Sequence, residues 1–436
     1  MRKLLTALAL TTPALARAAA DAPKLDTGDT ALVLVSAGLV LLMTPGLAFF
    51  YGGLVRAKNV VHTTNMSLVC MAFVGVLWAL VGYSLAFSPG GWHDGFVGGL
   101  SWAGLSGVTG AIEPSLAPTV PHLAFMLFQA MFAVITPALI SGAIVERMRL
   151  KAFVLFVALW SLVVYTPVAH WVWAPGGWLR GLGALDFAGG TVVHINAAAG
   201  AVVAAVLLGK RRGLRTPSSI PHNVPFAILG AGLLWFGWLG FNGGSALAAN
   251  GLAAYAFTNT FVAPAAAALA WALAELVLHG RISGVGLASG AVAGMVAITP
   301  AAGFITPLAS VGVGGLAALA SFLAVRLRPR LGLDDSLDVF AVHGVAATLG
   351  ALLTGLLASK AVNEAGADGS LALLGVQALG VLVTFAWSGG LSFGLLKLVG
   401  VLTPLRADEQ DEWTGLDQSD AGERGYAMAD DNTSAS

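Results

Sequence analysis

The chain has 436 residues, of which 57% are hydrophobic and only 10% charged, and its mean hydropathy is +0.83. That balance excludes a soluble monomer of this length and points to a polytopic membrane protein. Lys and Arg together number 22, as do Asp and Glu, with no basic block among aromatics to suggest nucleic acid, and the lone Cys70 excludes an internal disulfide and a cysteine-cluster metal site.

Residues 1–20 open with Met1, Arg2 and Lys3, continue through an apolar stretch at 4–10, and end in small residues suited to cleavage near Ala18 or Ala20. This is the pattern of a removed signal peptide, with a short first membrane helix as the alternative. Removal leaves the mature N-terminus, near Asp21, outside the cytoplasm. The transmembrane domain expected at 21–405 contains apolar segments at 30–54, 60–87, 120–145, 152–173 and 191–208. A second series follows at 225–248, 253–278, 282–299, 303–325, 336–359 and 371–398. Each is long enough to span. The expected fold class is an all-α polytopic membrane protein of about eleven transmembrane helices, arranged as two inverted five-helix repeats plus a final helix.

Alternate connections carry Arg56 and Lys58; Arg147, Arg149 and Lys151; Lys210, Arg211, Arg212 and Arg215; Arg281; then Arg326, Arg328 and Arg330. The connections between them carry little beyond Arg180 and Lys360. The positive-inside rule makes the first set cytoplasmic, with the N-terminus outside and the C-terminus inside. The signal peptide independently gives the same orientation. The external stretch 88–118, rich in Gly and holding Trp92 and Trp102, is expected to be an ordered cap at the interface. Gly and Ala in the spans, such as Gly240, Gly243 and Gly244, suit close helix packing in lipid. Cys70 reads as a small core residue. The acidic, polar stretch 406–436 reads as a solvated cytoplasmic tail.

Two histidines fall inside apolar segments, and ionisable groups there face a cavity or a partner. His194 follows Asp186 in the fifth span, and His343 follows Asp338 in the tenth. In repeats with an odd number of spans the second copy is inverted, a plan that places the transport site near the midplane. At about 1.5 Å per residue, His194 lies roughly 12 Å below one face and His343 roughly 8 Å above the other. In a core about 30 Å thick, the two can meet. Taken singly, each histidine could instead be a packing residue bonded to a backbone carbonyl; two at matching positions weigh against that. His62, His93, His122, His170, His222 and His279 lie near span ends or in loops and are attributed to interfacial solvation. Asp186 suits a helix cap better than a substrate ligand.

The segments 128–137, 188–196, 237–245, 338–344 and 415–417 together closely resemble the ammonium transporter family, the Amt/Mep/Rh superfamily, and most of all its bacterial ammonium transporter branch. The resemblance implies an external ammonium-recruitment site of Phe132, Trp173 and Ser245, a gate of Phe132 and Phe241 beneath it, and a pore lined by His194 and His343. It makes Asp186 the buried aspartate beside the recruitment site. It also implies a homotrimer with one pore per subunit in the inner, cytoplasmic membrane, no cofactor or metal, and control by a cytoplasmic PII-type regulatory protein through the tail.

The implied chemistry answers a selectivity problem. Potassium matches ammonium in charge and nearly in size, but only ammonium can shed a proton and cross a narrow apolar passage as a neutral species. Neutral imidazoles offer both a donor and an acceptor to such a species. Two departures from the family pattern stand out: Ala174 and Pro175 follow Trp173 where a glycine run is usual, and the tail at 421–426 lacks the usual histidine before its glycine. An ammonium sensor and a Rhesus-type gas channel are the alternatives on the same fold; a sensor would normally carry an output domain, and about 30 tail residues are too few to fold alone. An intramembrane enzyme would need a nucleophile or metal motif, and neither His-Glu-x-x-His nor Gly-x-Ser-x-Gly occurs.

Overall fold

The computed structural model of the chain describes residues 24–91, 95–213 and 221–426. The expected signal peptide at 1–20, Trp92, His93 and Arg215 lie outside them. Apolar helices follow one another as α1 (Thr27–Leu54), α2 (Ala57–Phe87), α3 (His122–Ile144), α4 (Leu150–Gly181), α5 (Gly190–Leu208), α6 (Val224–Gly244) and α7 (Gly251–His279). Then come α8 (Gly284–Ile298), α9 (Pro307–Leu331), α10 (Phe340–Leu357) and α11 (Leu371–Leu402). With no water to satisfy backbone groups in hydrocarbon, apolar segments of this length have to be helical. Their starts are fixed by side chains that accept first-turn N–H groups, among them Asp26, Asn223, Asn250, Ser283, Thr306 and Ser370.

Among the described residues ten of these helices are long and apolar enough to cross a membrane, and α8 is shorter, at 15 residues. It falls short of the expected span at 282–299 because Pro300 has no N–H with which to extend the ladder. The chain turns there, and α9 starts only at Pro307, later than the apolar run that begins at 303.

Helices α1 and α6, the first of each repeat, pack so closely that a Cβ at Gly230 would lie 2.2 Å from the Phe50 nitrogen. Helices α5 and α10, the last of each repeat, enter the bundle from opposite ends and meet near its centre. Each opens with a π turn, Gly190–Ile195 in α5 and Phe340–Val345 in α10, and each of these turns holds one of the two histidines.

Basic side chains gather at one end of the bundle. Glu146 joins Arg56 (3.0 Å) to Arg211 (3.1 Å), and Arg211 joins Asp334 (2.9 Å). Arg147 is fully buried and donates to Ser336 Oγ and to the carbonyls of Ala143 and Asp334. Burial opposes ionisation of Glu146 and Asp334, but Arg211, with Arg56 at Glu146 and Arg147 at Asp334, outweighs it and holds both carboxyls below their ordinary range.

The tail as far as Tyr426 is docked on this end, with Glu412, Leu416 and Asp417 buried and many of its other residues exposed. The Arg149 N–H donates to the Leu405 carbonyl (3.0 Å), and short helices α12 (Glu409–Thr414) and α13 (Leu416–Ser419) follow. Asp417 accepts the His62 N–H (2.8 Å), Asp420 accepts the Leu150 N–H (2.6 Å), and Asp411 pairs with Arg149 (2.8 Å). Its acidic residues hold the tail down, because free N–H groups at helix starts and basic loop residues await them.

At the opposite end, the stretch 88–118 is an ordered cap where described, with a two-stranded hairpin, Ile112–Glu113 paired to Ala117–Pro121. Trp102 stacks on Tyr83 there, at 5.7 Å and 18°. Interfacial solvation does not account for His62, His122 or His170. All three are buried, with partners in Asp420 (3.1 Å), the Tyr83 hydroxyl (2.6 Å) and the Ala86 carbonyl (2.8 Å).

Candidate functional site

The start of α5 is organised by Asp186. One carboxylate oxygen accepts the N–H groups of Gly189 (2.9 Å) and Gly190 (2.6 Å), the other those of Thr191 (2.8 Å) and Val192 (3.0 Å). Gly189 has φ +114°, and this left-handed step turns the chain into the π turn that carries His194. The expectation that Asp186 caps this helix agrees with that arrangement.

The counterpart of Asp186 is Asp335, not Asp338 as the sequence suggested. Asp335 accepts the N–H groups of Val339 (3.0 Å) and Phe340 (2.7 Å) at the start of α10. It precedes His343 by eight residues, as Asp186 precedes His194. Asp338 occupies the place of Gly189, five residues before its histidine, with φ +60°, and pairs with Arg328 at 2.6 Å. The shared interval of eight was visible in the sequence; the nearer carboxylate at 338 obscured it.

The two histidines meet. Nδ1 of His343 lies 3.3 Å from Nδ1 of His194, and the rings are 5.3 Å apart at 26°. Both are buried. In a contact of this kind one Nδ1 carries the proton and the other accepts it, so the pair has two alternative protonation patterns. Nε2 of His194 has no hydrogen-bond partner among the described residues. Trp238 stacks on His194 at 5.3 Å and Phe241 at 6.0 Å. Together with Leu47, Ile135, Leu139 and Val292 these rings enclose a cavity of about 10 Å³, room for one molecule the size of water.

On the Asp186 side of the pair, Phe132 and Phe241 lie 4.3 Å apart, both buried. Beyond them a vestibule of about 150 Å³ is lined by Phe128, Gln129, Phe132, Trp173 and Ser245 among others. Trp173 meets Phe132 edge to face at 5.6 Å and 85°, and its Nε1 donates to the Asp186 carbonyl (2.9 Å). Ser245 Oγ donates its proton to the Phe241 carbonyl (2.8 Å), which leaves its lone pairs free to accept. On the other side of the pair, a cavity of about 400 Å³ is lined by His343, Tyr51, Arg211, Glu275, Arg328 and Asp338. The order from end to end is therefore aromatic vestibule, phenylalanine pair, histidine pair and polar vestibule. Every sequence-predicted site residue falls in it or directly against it.

A family model described as Ammonium Transporter Family matches residues 31–426. The chain belongs to the ammonium transporter family. It is 48% identical to the ammonium transporter of Bacillus subtilis (strain 168), over 92% of this chain and 98% of that protein. The ammonium transporter of Aquifex aeolicus (strain VF5) is 46% identical, over 94% and 96%. Among solved structures, Mep2 of Saccharomyces cerevisiae superposes with a TM-score of 0.83 at 36% identity, covering 88% of each chain. A protein described as Sensor Amt Protein superposes with a TM-score of 0.82 at 30% identity, over 90% of this chain and 98% of that one.

Three residues of this ammonium transporter family site escaped sequence reasoning. Trp238, three residues before Phe241, is the platform under His194, and its Nε1 donates to Thr299 Oγ1 (2.8 Å). Gln129 is buried at the vestibule, and its Oε1 has no partner among the described residues. Asp335 is the third. The first two lie within family-like segments, but a lone tryptophan or glutamine in an apolar run carries no mark of what it faces.

Proposed function

We propose that this chain transports ammonium across the cytoplasmic membrane, recruiting the cation at the aromatic vestibule and conducting ammonia past His194 and His343. The observation that carries the reading is the order of compartments along one axis. A vestibule of π faces and a serine acceptor suits a compact cation, with each cation–π contact worth up to about 2 kcal/mol when desolvated. The passage beyond the gate is apolar, closes to the size of one small molecule, and offers polar atoms chiefly through the imidazoles. A charged ion cannot shed its hydration there at tolerable cost, whereas a neutral amine can. Deprotonation therefore belongs at or above the Phe132 and Phe241 pair. The Nδ1 to Nδ1 contact then offers a donor or an acceptor to the passing molecule.

The vestibule end is external and the arginine-rich end cytoplasmic in this reading, in line with the positive-inside rule. Signal-peptide removal near Ala20, assembly as a homotrimer and recognition by a PII-type regulatory protein at the cytoplasmic face belong to the same proposal. The docked tail supports the last of these, since it makes 406–426 part of that face. A sensor is the second reading, favoured by the superposition on Sensor Amt Protein. Net flux separates the two, since a pure sensor binds without transport.

The test is reconstitution in vesicles with an ammonium pulse, compared with potassium. The unmodified chain is expected to pass ammonium and exclude potassium. Replacing both histidines by leucine is expected to abolish the ammonium response or to end potassium exclusion. If the double variant keeps both properties, the twin-histidine mechanism is wrong. Pull-down of a PII-type protein with and without residues after Leu405 tests the tail, and equal capture would remove it from that role.

A further inference from the structure

Arg180 is the charged group at the vestibule that the proposed mechanism does not use. It sits on the one-turn helix Trp178–Gly181 at the end of α4, and its side chain lines the vestibule with Trp173, Gln129, Phe132 and Ser245. Among the described residues it is the only charged side chain lining that cavity. Its Nη1 donates to the Trp173 carbonyl (2.5 Å), and among the described residues it forms no ion pair. The neighbouring carboxylate, Asp186, is committed to four backbone N–H groups at the start of α5. The guanidinium therefore presents a positive charge without an ion-pair partner among the described residues, at the mouth of a site read as receiving a cation.

We propose that Arg180 is a charge filter, a specificity-determining residue that weakens capture of every cation and that of divalent cations most. The inference rests on reading the vestibule as the ammonium-recruitment site. Two like unit charges about 7 Å apart in a dielectric between about 40 and 80 repel enough to weaken capture about 3- to 8-fold. The energy doubles for a divalent ion, so its penalty is the square of that factor, about 10- to 60-fold. Ammonium regains the loss from the faces of Phe132 and Trp173 and from the lone pairs of Ser245. A hydrated magnesium ion, which gives up its water reluctantly, cannot use those contacts. The filter thus trades some ammonium affinity for freedom from divalent competition at the external mouth.

The experiment measures transient currents from proteoliposomes of neutral lipid, with the full chain unmodified or carrying R180Q, R180K or W173L. Apparent KM for ammonium is read at about 10 mM and about 300 mM ionic strength, where screening lengths differ several-fold, with and without magnesium. R180Q is expected to lower KM about 3- to 8-fold at low ionic strength, to lose most of that gain at high ionic strength, and to become sensitive to magnesium. R180K is expected to keep the salt slope of the unmodified chain. The inference is overturned if R180Q raises KM or leaves it unchanged at low ionic strength, because the side chain would then serve only to hold the Trp173 carbonyl. W173L checks the underlying reading separately. A raised KM supports recruitment at this vestibule, and an unchanged one removes that reading, while the R180Q salt response still decides the role of the charge.

Discussion

Replacing Asp186 by asparagine separates an architectural carboxylate from a substrate ligand. The carboxylate accepts four backbone N–H groups, two at each oxygen, at 2.6 to 3.0 Å. Asparagine presents one oxygen and one NH2 group, so two N–H donors of α5 would face another donor. Each buried donor left without a partner costs about 1–3 kcal/mol. The pair therefore costs about 2–6 kcal/mol, before the charge assistance lost at the remaining two bonds is counted. Against a total folding stability of about 5–15 kcal/mol for an ordinary domain, that is a large share. The damage is local to the left-handed step at Gly189 and the π turn that carries His194, so conduction should fall together with stability. The assay pairs the thermal unfolding midpoint in detergent, followed by tryptophan fluorescence, with ammonium flux per folded protein. A D186N variant with an unchanged midpoint would refute the capping argument, and lost flux at that unchanged midpoint would move Asp186 to the substrate.

D335N disturbs two N–H groups where D186N disturbs four, so its stability cost should be about half as large, about 1–3 kcal/mol in the same unfolding assay. G230A should lower the unfolding midpoint sharply, since the new Cβ would lie 2.2 Å from the Phe50 nitrogen and α1 and α6 would have to part; a neutral result would mean that the two helices separate freely. The folded-state carboxyls of Glu146 and Asp334 are held below their ordinary values of 4.5 and 3.8, because Arg211 and its neighbours outweigh burial. Their stabilisation is therefore complete above those ordinary values and is lost as pH falls through the lower folded ones, so an acid scan of the unfolding midpoint should show a drop below about pH 4. E146Q should reduce that drop and cost about 3–5 kcal/mol near neutral pH, because Arg56 and Arg211 lose a buried partner. D417N should loosen the tail from the His62 N–H, read as faster proteolysis after Leu405, and an unchanged cleavage rate would show that the other tail contacts suffice.

Most of the membrane architecture could be read from the sequence, because apolar runs of some 20 residues have one low-cost form in lipid, a helix, and basic residues mark alternate loops. His194, His343 and Asp186 stood out for the same reason, as polar groups set in sequence that otherwise avoids them. What depended on the tertiary structure was partnership. Three carboxylates, Asp334, Asp335 and Asp338, closely precede His343, and only the folded backbone shows that Asp335 caps α10 while Asp338 takes a left-handed step and binds Arg328. The acidic tail has the composition of a solvated terminus, yet Asp417 and Asp420 find N–H groups more than 250 residues away that no local pattern announces. Trp238 looks like any apolar aromatic until α5 brings His194 over its ring. Periodicity and hydropathy record where each residue stands relative to lipid, a property of the single helix. The facing of one side chain by another arises where helices cross, and for the two histidines that crossing of α5 and α10 is the site itself.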